Sequence, residues 1–168
     1  NAGTGSFGIG VGSLPAGVAA GDIDGDGYQD LVVTNSGENT ISVLLSLNGT
    51  GFESQSKYPT TPNPGGILVR DFNGDGRDDV SVIGAQVPNP VNIFLAQTGG
   101  ILAPRTEFPA GNPGSIVAID ADQDVDWDIV LADGGPAGGS TSSVQVLLND
   151  GSGQFTLGGR FGIADPSG

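Results

Sequence analysis

An acidic segment recurs three times in this chain of 168 residues, at a constant interval of 49 residues. The three copies are Asp22–Asp30, Asp71–Asp79 and Asp120–Asp128. A proline stands seven residues before each copy, so the interval is shared by residues outside the acidic segments. An interval that holds for both kinds of position indicates an internal structural repeat.

Each repeat contains four short apolar runs separated by turn residues, which is the pattern of four β-strands. The predicted strands are 18–21, 31–34, 40–47 and 52–58 in the first repeat, 67–70, 80–83, 91–95 and 101–108 in the second, and 116–119, 129–132, 144–148 and 154–161 in the third. No segment keeps an apolar period of 3.6 residues, and Gly, Pro and Asn interrupt every candidate helix. The chain is therefore predicted to be all-β.

Four strands in a repeat of this length match one blade of a β-propeller. A parallel β-helix is the alternative, but its coils are shorter and do not need four separate turns. We therefore predict one propeller fragment over 1–168, with blades at approximately 16–64, 65–113 and 114–161 and with 1–15 completing a preceding blade. The Gly/Ser-rich stretch 134–143 is expected to enlarge one turn of the last blade.

Three blades are too few to close a ring, which takes at least four. The chain is thus expected to join the remaining blades of a longer chain or another subunit. Segments that resemble a fourth strand occur at both ends, which favours a piece of a longer chain over self-association.

Composition excludes several classes of function. The chain has 19 Asp+Glu against 5 Lys+Arg, and a net charge of -14 opposes binding to nucleic acid or to an anionic membrane. It has no Cys and no His, so disulfides, thiolate chemistry, Ser-His-Asp triads and His-containing zinc sites are absent. Two carboxylates suffice for a glycosidase, but the acids outside the repeated segments show no pairing. We expect a protein that is not an enzyme and does not insert into a membrane.

Oxygen-bearing side chains recur at the first, third, fifth and ninth positions of the acidic segments, and such a loop can wrap around one hard cation. The predicted ligands are Asp22, Asp24, Asp26 and Asp30 in the first segment, Asp71, Asn73, Asp75 and Asp79 in the second, and Asp120, Asp122, Asp124 and Asp128 in the third. The seventh residue, Tyr28, Arg77 or Asp126, is expected to add a ligand, through its main-chain carbonyl in the first two segments. Hard oxygen ligands without His or Cys favour Ca²⁺ over zinc or copper, and their number favours Ca²⁺ over Mg²⁺. About three Ca²⁺ ions are expected.

Two other interpretations of these segments are weaker. Solvated turns also contain Asp and Gly, but four carboxylates within nine residues repel one another unless a cation lies among them. An EF-hand or dockerin loop needs a carboxylate at its twelfth position, where this chain has Val33, Val82 and Leu131. The third segment departs most from the pattern, because Gln123 and Val125 replace glycines and a β-branched residue resists positive φ.

The segments resemble the FG-GAP/VCBS repeats of integrin α-subunit headpieces and of many bacterial and fungal extracellular proteins, including a mushroom lectin. The pattern D-x-D-G-D-G-x-x-D matches fully in the first segment, nearly in the second and loosely in the third. Phe7-Gly8 and Phe161-Gly162 retain the F-G element, whereas a clean G-A-P is missing. The resemblance implies a propeller of seven blades, a cation in the hairpin between the first two strands of a blade, and a secreted or cell-surface protein.

The same resemblance implies adhesion or glycan recognition, with a protein or carbohydrate ligand at the rim of the propeller. Candidate contact residues are Trp127, Tyr28, Arg77 and Asn39. The alternatives are a passive structural or assembly subunit of a larger surface protein and a non-catalytic accessory domain of a secreted enzyme.

Overall fold

The computed structural model describes residues 8–84, 90–134 and 142–162, with the side chains of 160–162 left out. All regular secondary structure in these ranges is β, so the all-β prediction is confirmed. No helix in the described ranges is long and apolar enough to cross a membrane. Residues 1–7, which include Phe7, and most of the Gly/Ser-rich stretch 134–143 lie outside the described residues.

Three antiparallel sheets of four strands follow one another along the chain, and we call them blades 1, 2 and 3. Blade 1 contains β1 Pro15–Gly21, β2 Asp30–Asn35, β3 Thr40–Leu44 and β4 Ser56–Pro59. Blade 2 contains β5 Pro64–Arg70, β6 Asp79–Gly84, β7 Val91–Phe94 and β10 Thr106–Phe108, with the short pair β8 Ala96–Gln97 and β9 Ile101–Leu102 beside it. Blade 3 contains β11 Pro113–Ile119, β12 Asp128–Asp133, β13 Ser143–Asn149 and β14 Phe155–Gly162. In each blade the strands pair in chain order, as an up-and-down meander.

Several strand boundaries differ from the prediction. β3 ends at Leu44 and not at residue 47, and β4 begins at Ser56 and not at residue 52. Two other differences have identifiable reasons. Each first strand begins at its proline, three residues early, because a register shift after the proline lets the strand extend through it. The predicted strand 101–108 is divided into β9 and β10, and Pro104 lies in the gap, where it has no N–H to donate to a ladder.

Apolar residues fill the spaces between neighbouring blades. One buried cluster joins blade 1 to blade 2 and includes Val32 and Ile41 of the former with Val80 and Phe94 of the latter. A second cluster joins blade 2 to blade 3 in the same way. Each blade therefore packs face to face on the next, which confirms the predicted arc of propeller blades.

The first strands of the blades are neighbours, because β5 contacts both β1 and β11. Each acidic segment connects the first strand of its blade to the second. Consequently, the three acidic segments emerge at the same end of the stacked sheets.

Candidate metal centres

We call the acidic segments 22–30, 71–79 and 120–128 loops 1, 2 and 3. All three have the same backbone signature, a positive φ at the fourth and sixth positions. The angles are 79° and 88° at Gly25 and Gly27, 70° and 84° at Gly74 and Gly76, and 67° and 82° at Gln123 and Val125. Loop 3 thus adopts the fold of the other two without their glycines, although the left-handed region is unfavourable for side chains with a Cβ.

The carboxylate at the first position organises its own loop. In loop 1, Asp22 accepts hydrogen bonds from the main-chain amides of Gly25 (2.8 Å), Asp26 (3.0 Å) and Gly27 (2.8 Å). Asp71 accepts equivalent bonds in loop 2, including those from the amides of the fourth and sixth residues, at 2.8 and 2.9 Å. These bonds hold the chain in a tight coil around the first carboxylate.

Loop 3 has a weaker version of this arrangement. Asp120 accepts a bond from the amide of Val125 at 3.3 Å, just beyond the usual range of N–H···O distances. The carboxylates of Asp120, Asp122 and Asp124 are all exposed. Loop 3 therefore has the same course as loops 1 and 2, with less support from its first residue.

The carboxylate at the ninth position is fully buried in every loop and connects three parts of the blade. Asp79 accepts hydrogen bonds from the amides of Phe72 (2.9 Å) and Ala96 (2.7 Å), which lie in loop 2 and after the third strand. Asp30 accepts equivalent bonds at 2.8 and 2.7 Å, and Asp128 at 2.7 and 2.9 Å. This residue is thus a structural link as well as a candidate ligand.

Crowding and burial disfavour negative charge in the loops. Burial raises the pKa of Asp79 to about 6, although the amide bonds from Ala96 and Phe72 oppose the rise, and the charges of Asp75 and Asp71 add to it. Burial likewise raises the pKa of Asp30, and the charges of Asp24 and Asp22 contribute. The carboxylates would be more stable as anions with a cation among them.

The loops bring carboxylate oxygens close enough to share one ion. Oxygens of Asp22, Asp24 and Asp30 lie within 4.8 Å of one another in loop 1, as do oxygens of Asp120, Asp122 and Asp124 in loop 3. All of these ligands are hard oxygen donors, so the residues present fit Ca²⁺. The seventh residues, Tyr28, Arg77 and Asp126, lie in the same loops, and their role as ligands remains a prediction.

Loop 2 differs because it already contains a positive charge. The guanidinium of Arg77 forms an ion pair with Asp75, and the amide of Asn73 donates to the same carboxylate at 3.1 Å. The residues predicted as ligands therefore partly neutralise one another in this loop.

A contact between loops 1 and 2 was not anticipated from the sequence. The Asp78 carboxylate accepts a hydrogen bond from the Asp22 amide at 2.9 Å, and the Asp78 amide donates to the Asp22 carbonyl at 2.7 Å. This approach requires glycine at Gly21, where a Cβ would lie 2.2 Å from a methyl of Val69 and 2.7 Å from an oxygen of Asp78. The eighth positions hold Gln29, Asp78 and Trp127, and because the residue type does not repeat, the sequence contained no indication of the contact.

The four candidate contact residues have different surroundings. Trp127 and Tyr28 are exposed, and the Arg70 guanidinium lies 4.9 Å from the centre of the Trp127 ring. Asn39 is occupied structurally, because its side-chain oxygen accepts a bond from the Asn63 amide at 2.9 Å. Since Arg77 is paired within loop 2, the two aromatic rings are the more available of the four.

A family model described as FG-GAP-like repeat matches the chain twice, at residues 22–82 and 71–131. Both matches begin at the first residue of an acidic loop, and together they cover more than half of the chain. The chain belongs to the FG-GAP-like repeat family. No curated protein matches it at a significant level. The FG-GAP match and the stacked four-stranded sheets agree, so this protein is a β-propeller-like module built from FG-GAP repeats.

Proposed function

We propose that this FG-GAP module is a calcium-stabilised, extracellular recognition domain. The supporting observation is that three hairpin loops share one backbone conformation, that carboxylate oxygens converge in loops 1 and 3, and that cations within the module are few. Bound Ca²⁺ would neutralise the carboxylates and tie the first two strands of each blade together. Asp22, Asp24, Asp26 and Asp30 would hold the ion in loop 1, and the corresponding residues would do so in loops 2 and 3.

The expected affinity follows from the proposed location. Extracellular calcium modules bind with a Kd of about 10⁻⁴ to 10⁻³ M. At a calcium concentration ten times the Kd, each site adds about 1.4 kcal/mol of stability, and three sites add about 4 kcal/mol. For a chain of this size that corresponds to a Tm increase on the order of 10 °C.

Thermal unfolding with calcium and with excess chelator tests this proposal. Calcium is expected to raise the Tm and magnesium to raise it much less, because Mg²⁺ demands small octahedral sites. Asp24→Asn should lower the calcium response, and Glu53→Gln, which changes an exposed acid outside the loops, should not. A Tm that is the same in calcium and in chelator would rule out the structural role of the ion.

Recognition is proposed for the rim formed by the acidic loops, where Trp127 and Tyr28 are exposed. Aromatic rings at a rim can stack on the apolar faces of sugars or contact a protein ligand. A glycan array and a panel of matrix proteins, each probed with and without calcium, would identify the class of ligand. Trp127→Ala should abolish binding while the far-UV circular dichroism is unchanged, and Ile101→Ala, a second exposed apolar residue, should retain it.

The assembly-subunit alternative gives the opposite result. If the module only connects other parts of a surface protein, no soluble ligand binds in either condition, and Trp127→Ala changes nothing beyond its contact with Arg70. Binding of a glycan or protein ligand that requires both calcium and Trp127 would reject this alternative.

A further inference from the structure

The eighth residue of loop 2 lies against loop 1, which belongs to the preceding blade. The Asp78 carboxylate accepts a hydrogen bond from the Asp22 amide at 2.9 Å, and the Asp78 amide donates one to the Asp22 carbonyl at 2.7 Å. Both main-chain polar groups of Asp22 are therefore bonded to a single residue of blade 2.

Asp22 is the residue around which loop 1 is coiled. Its carboxylate accepts hydrogen bonds from three amides of its own loop. The same carboxylate is one of the three in loop 1 whose oxygens lie within 4.8 Å of one another. The side chain of Asp22 thus belongs to the candidate metal centre, while its main chain is held by the next blade. A displacement of its backbone would move the ligand and the amides bonded to it together.

Loop 2 contacts loop 1 at a second point. A Cβ at Gly25 would lie 3.1 Å from Cγ of Arg77 and 3.7 Å from the carbonyl oxygen of Gly76. The aliphatic part of Arg77 therefore packs against the fourth position of loop 1, while its guanidinium is paired with Asp75 in loop 2. One side of loop 1 is thus covered by residues of blade 2.

Blade 3 does not support loop 2 in the same way. The interval of 49 residues makes Trp127 the counterpart of Asp78, and Arg70 the counterpart of Gly21. Trp127 also contacts the end of the preceding first strand, because the Arg70 guanidinium lies 4.9 Å from the centre of its ring. An indole has no acceptor for an amide, and within the described residues Asp71 has no hydrogen bond to loop 3. The eighth position thus reaches the preceding blade at both boundaries, but with hydrogen bonds to the first carboxylate's residue only from Asp78.

We propose that Asp78 is a positioning residue for the calcium site of loop 1, which is therefore formed by two blades. This rests on the calcium role proposed above. Holding Asp22 in place before the ion arrives reduces the ordering that binding requires. Loop 1 should thus bind calcium more tightly than its own residues alone would allow. Because such coupling is reciprocal, calcium in loop 1 should also strengthen the contact between blades 1 and 2.

Amide hydrogen exchange in excess chelator tests the contact itself. The Asp22 amide, which has a carboxylate acceptor, should have a protection factor at least about 10-fold higher than that of the Asp71 amide. Asp78→Ala should remove this difference, whereas Asp78→Asn, which keeps an acceptor oxygen, should retain most of it. Equal protection of the two amides in the parent would overturn the proposal.

A calcium titration tests the consequence, with the Gly27 amide as the NMR reporter of loop 1 and the Val125 amide as that of loop 3. Asp78→Ala should weaken calcium binding in loop 1 by about 3- to 10-fold and leave loop 3 unchanged. Asp78→Asn should stay within about 2-fold of the parent, because the hydrogen bond and not the charge positions Asp22. Gln29→Ala is the matched control, since Gln29 is the exposed eighth residue of loop 1, and it should leave both affinities unchanged.

The outcomes separate this proposal from the proposed function. Calcium binding in loops 1 and 3 that Asp78→Ala leaves unchanged would overturn the positioning role and leave the calcium role intact. Equal weakening by Asp78→Ala and Asp78→Asn would also overturn the positioning role, because the lost charge would then be the cause. If no loop of the parent binds calcium, the calcium role is wrong and the positioning role is wrong with it.

Discussion

Loop 3 should become more stable when Val125 is replaced by glycine. Val125 has a φ of 82°, in the region that Gly27 and Gly76 occupy in loops 1 and 2. Its side chain is 85% exposed, so the substitution removes little packing. The predicted gain in stability therefore depends on backbone strain alone.

The magnitude follows from two opposing effects. A residue with a Cβ held in the left-handed region costs on the order of 1–3 kcal/mol. Removing this strain is offset by about 0.5–1 kcal/mol, because glycine makes the unfolded chain more flexible. Val125→Gly should thus increase the free energy of unfolding by about 1 kcal/mol, which raises the Tm by about 2–4 °C in a chain of this size.

Urea unfolding in excess chelator measures this effect without a contribution from bound metal. Gly27→Val, the reverse change in loop 1, should lower the free energy of unfolding by a similar amount. Glu53→Gly, at an exposed residue outside the positive-φ positions, should be destabilising and reports the cost of glycine alone. If Val125→Gly is no more stable than the parent, the strain assigned to loop 3 is wrong.

Three further predictions concern loops 1 and 2. Asp79→Ala should lower the free energy of unfolding, measured by urea titration in excess chelator, by about 2–4 kcal/mol, because two buried amides lose their acceptor. Asp75→Ala, at an exposed residue, should lower it by less than half of that amount. Arg77→Gln should increase the calcium affinity of loop 2 by roughly 2- to 5-fold, since a competing ion pair is removed; an unchanged affinity in a calcium titration followed by NMR of the loop amides would contradict this. Gly21→Ala should lower the free energy of unfolding by about 1–3 kcal/mol, because its Cβ would meet Val69 at 2.2 Å; a thermal melt identical to that of the parent would show that the loops move apart freely.

The repeat was sufficient to predict the blades and the position of the acidic loops. Both follow from local chemistry, since alternating apolar residues form strands and Asp-Gly segments form turns. Pro104 also indicated that the predicted strand 101–108 would be divided into β9 and β10. The apolar residues on both sides of Pro104 nevertheless favoured one continuous strand.

Contacts between blades could not be predicted in the same way. Asp78 reaches Asp22 across 56 positions of the chain, and the side chain at the eighth loop position differs in every repeat. Asn149 is a second example, because its side-chain amide donates to the Phe72 carbonyl of the preceding blade at 2.7 Å. Such contacts depend on how the sheets stack, which a periodicity along one chain does not specify.

In each loop, some carboxylates accept hydrogen bonds from main-chain amides and the others are left to repel one another. Calcium is therefore expected to relieve the repulsion and not to determine the backbone conformation. The ninth carboxylate is buried and bonded to amides, and the first carboxylate of loops 1 and 2 is bonded to the amides of its own loop. The backbone is therefore shaped by protein hydrogen bonds, and the repulsion between the remaining acids is what a cation would relieve. For that reason chelation should lower the Tm while the far-UV circular dichroism at room temperature stays that of a β-protein. Loss of the fold on chelation at room temperature would show instead that the ion, and not the amide network, forms the loops.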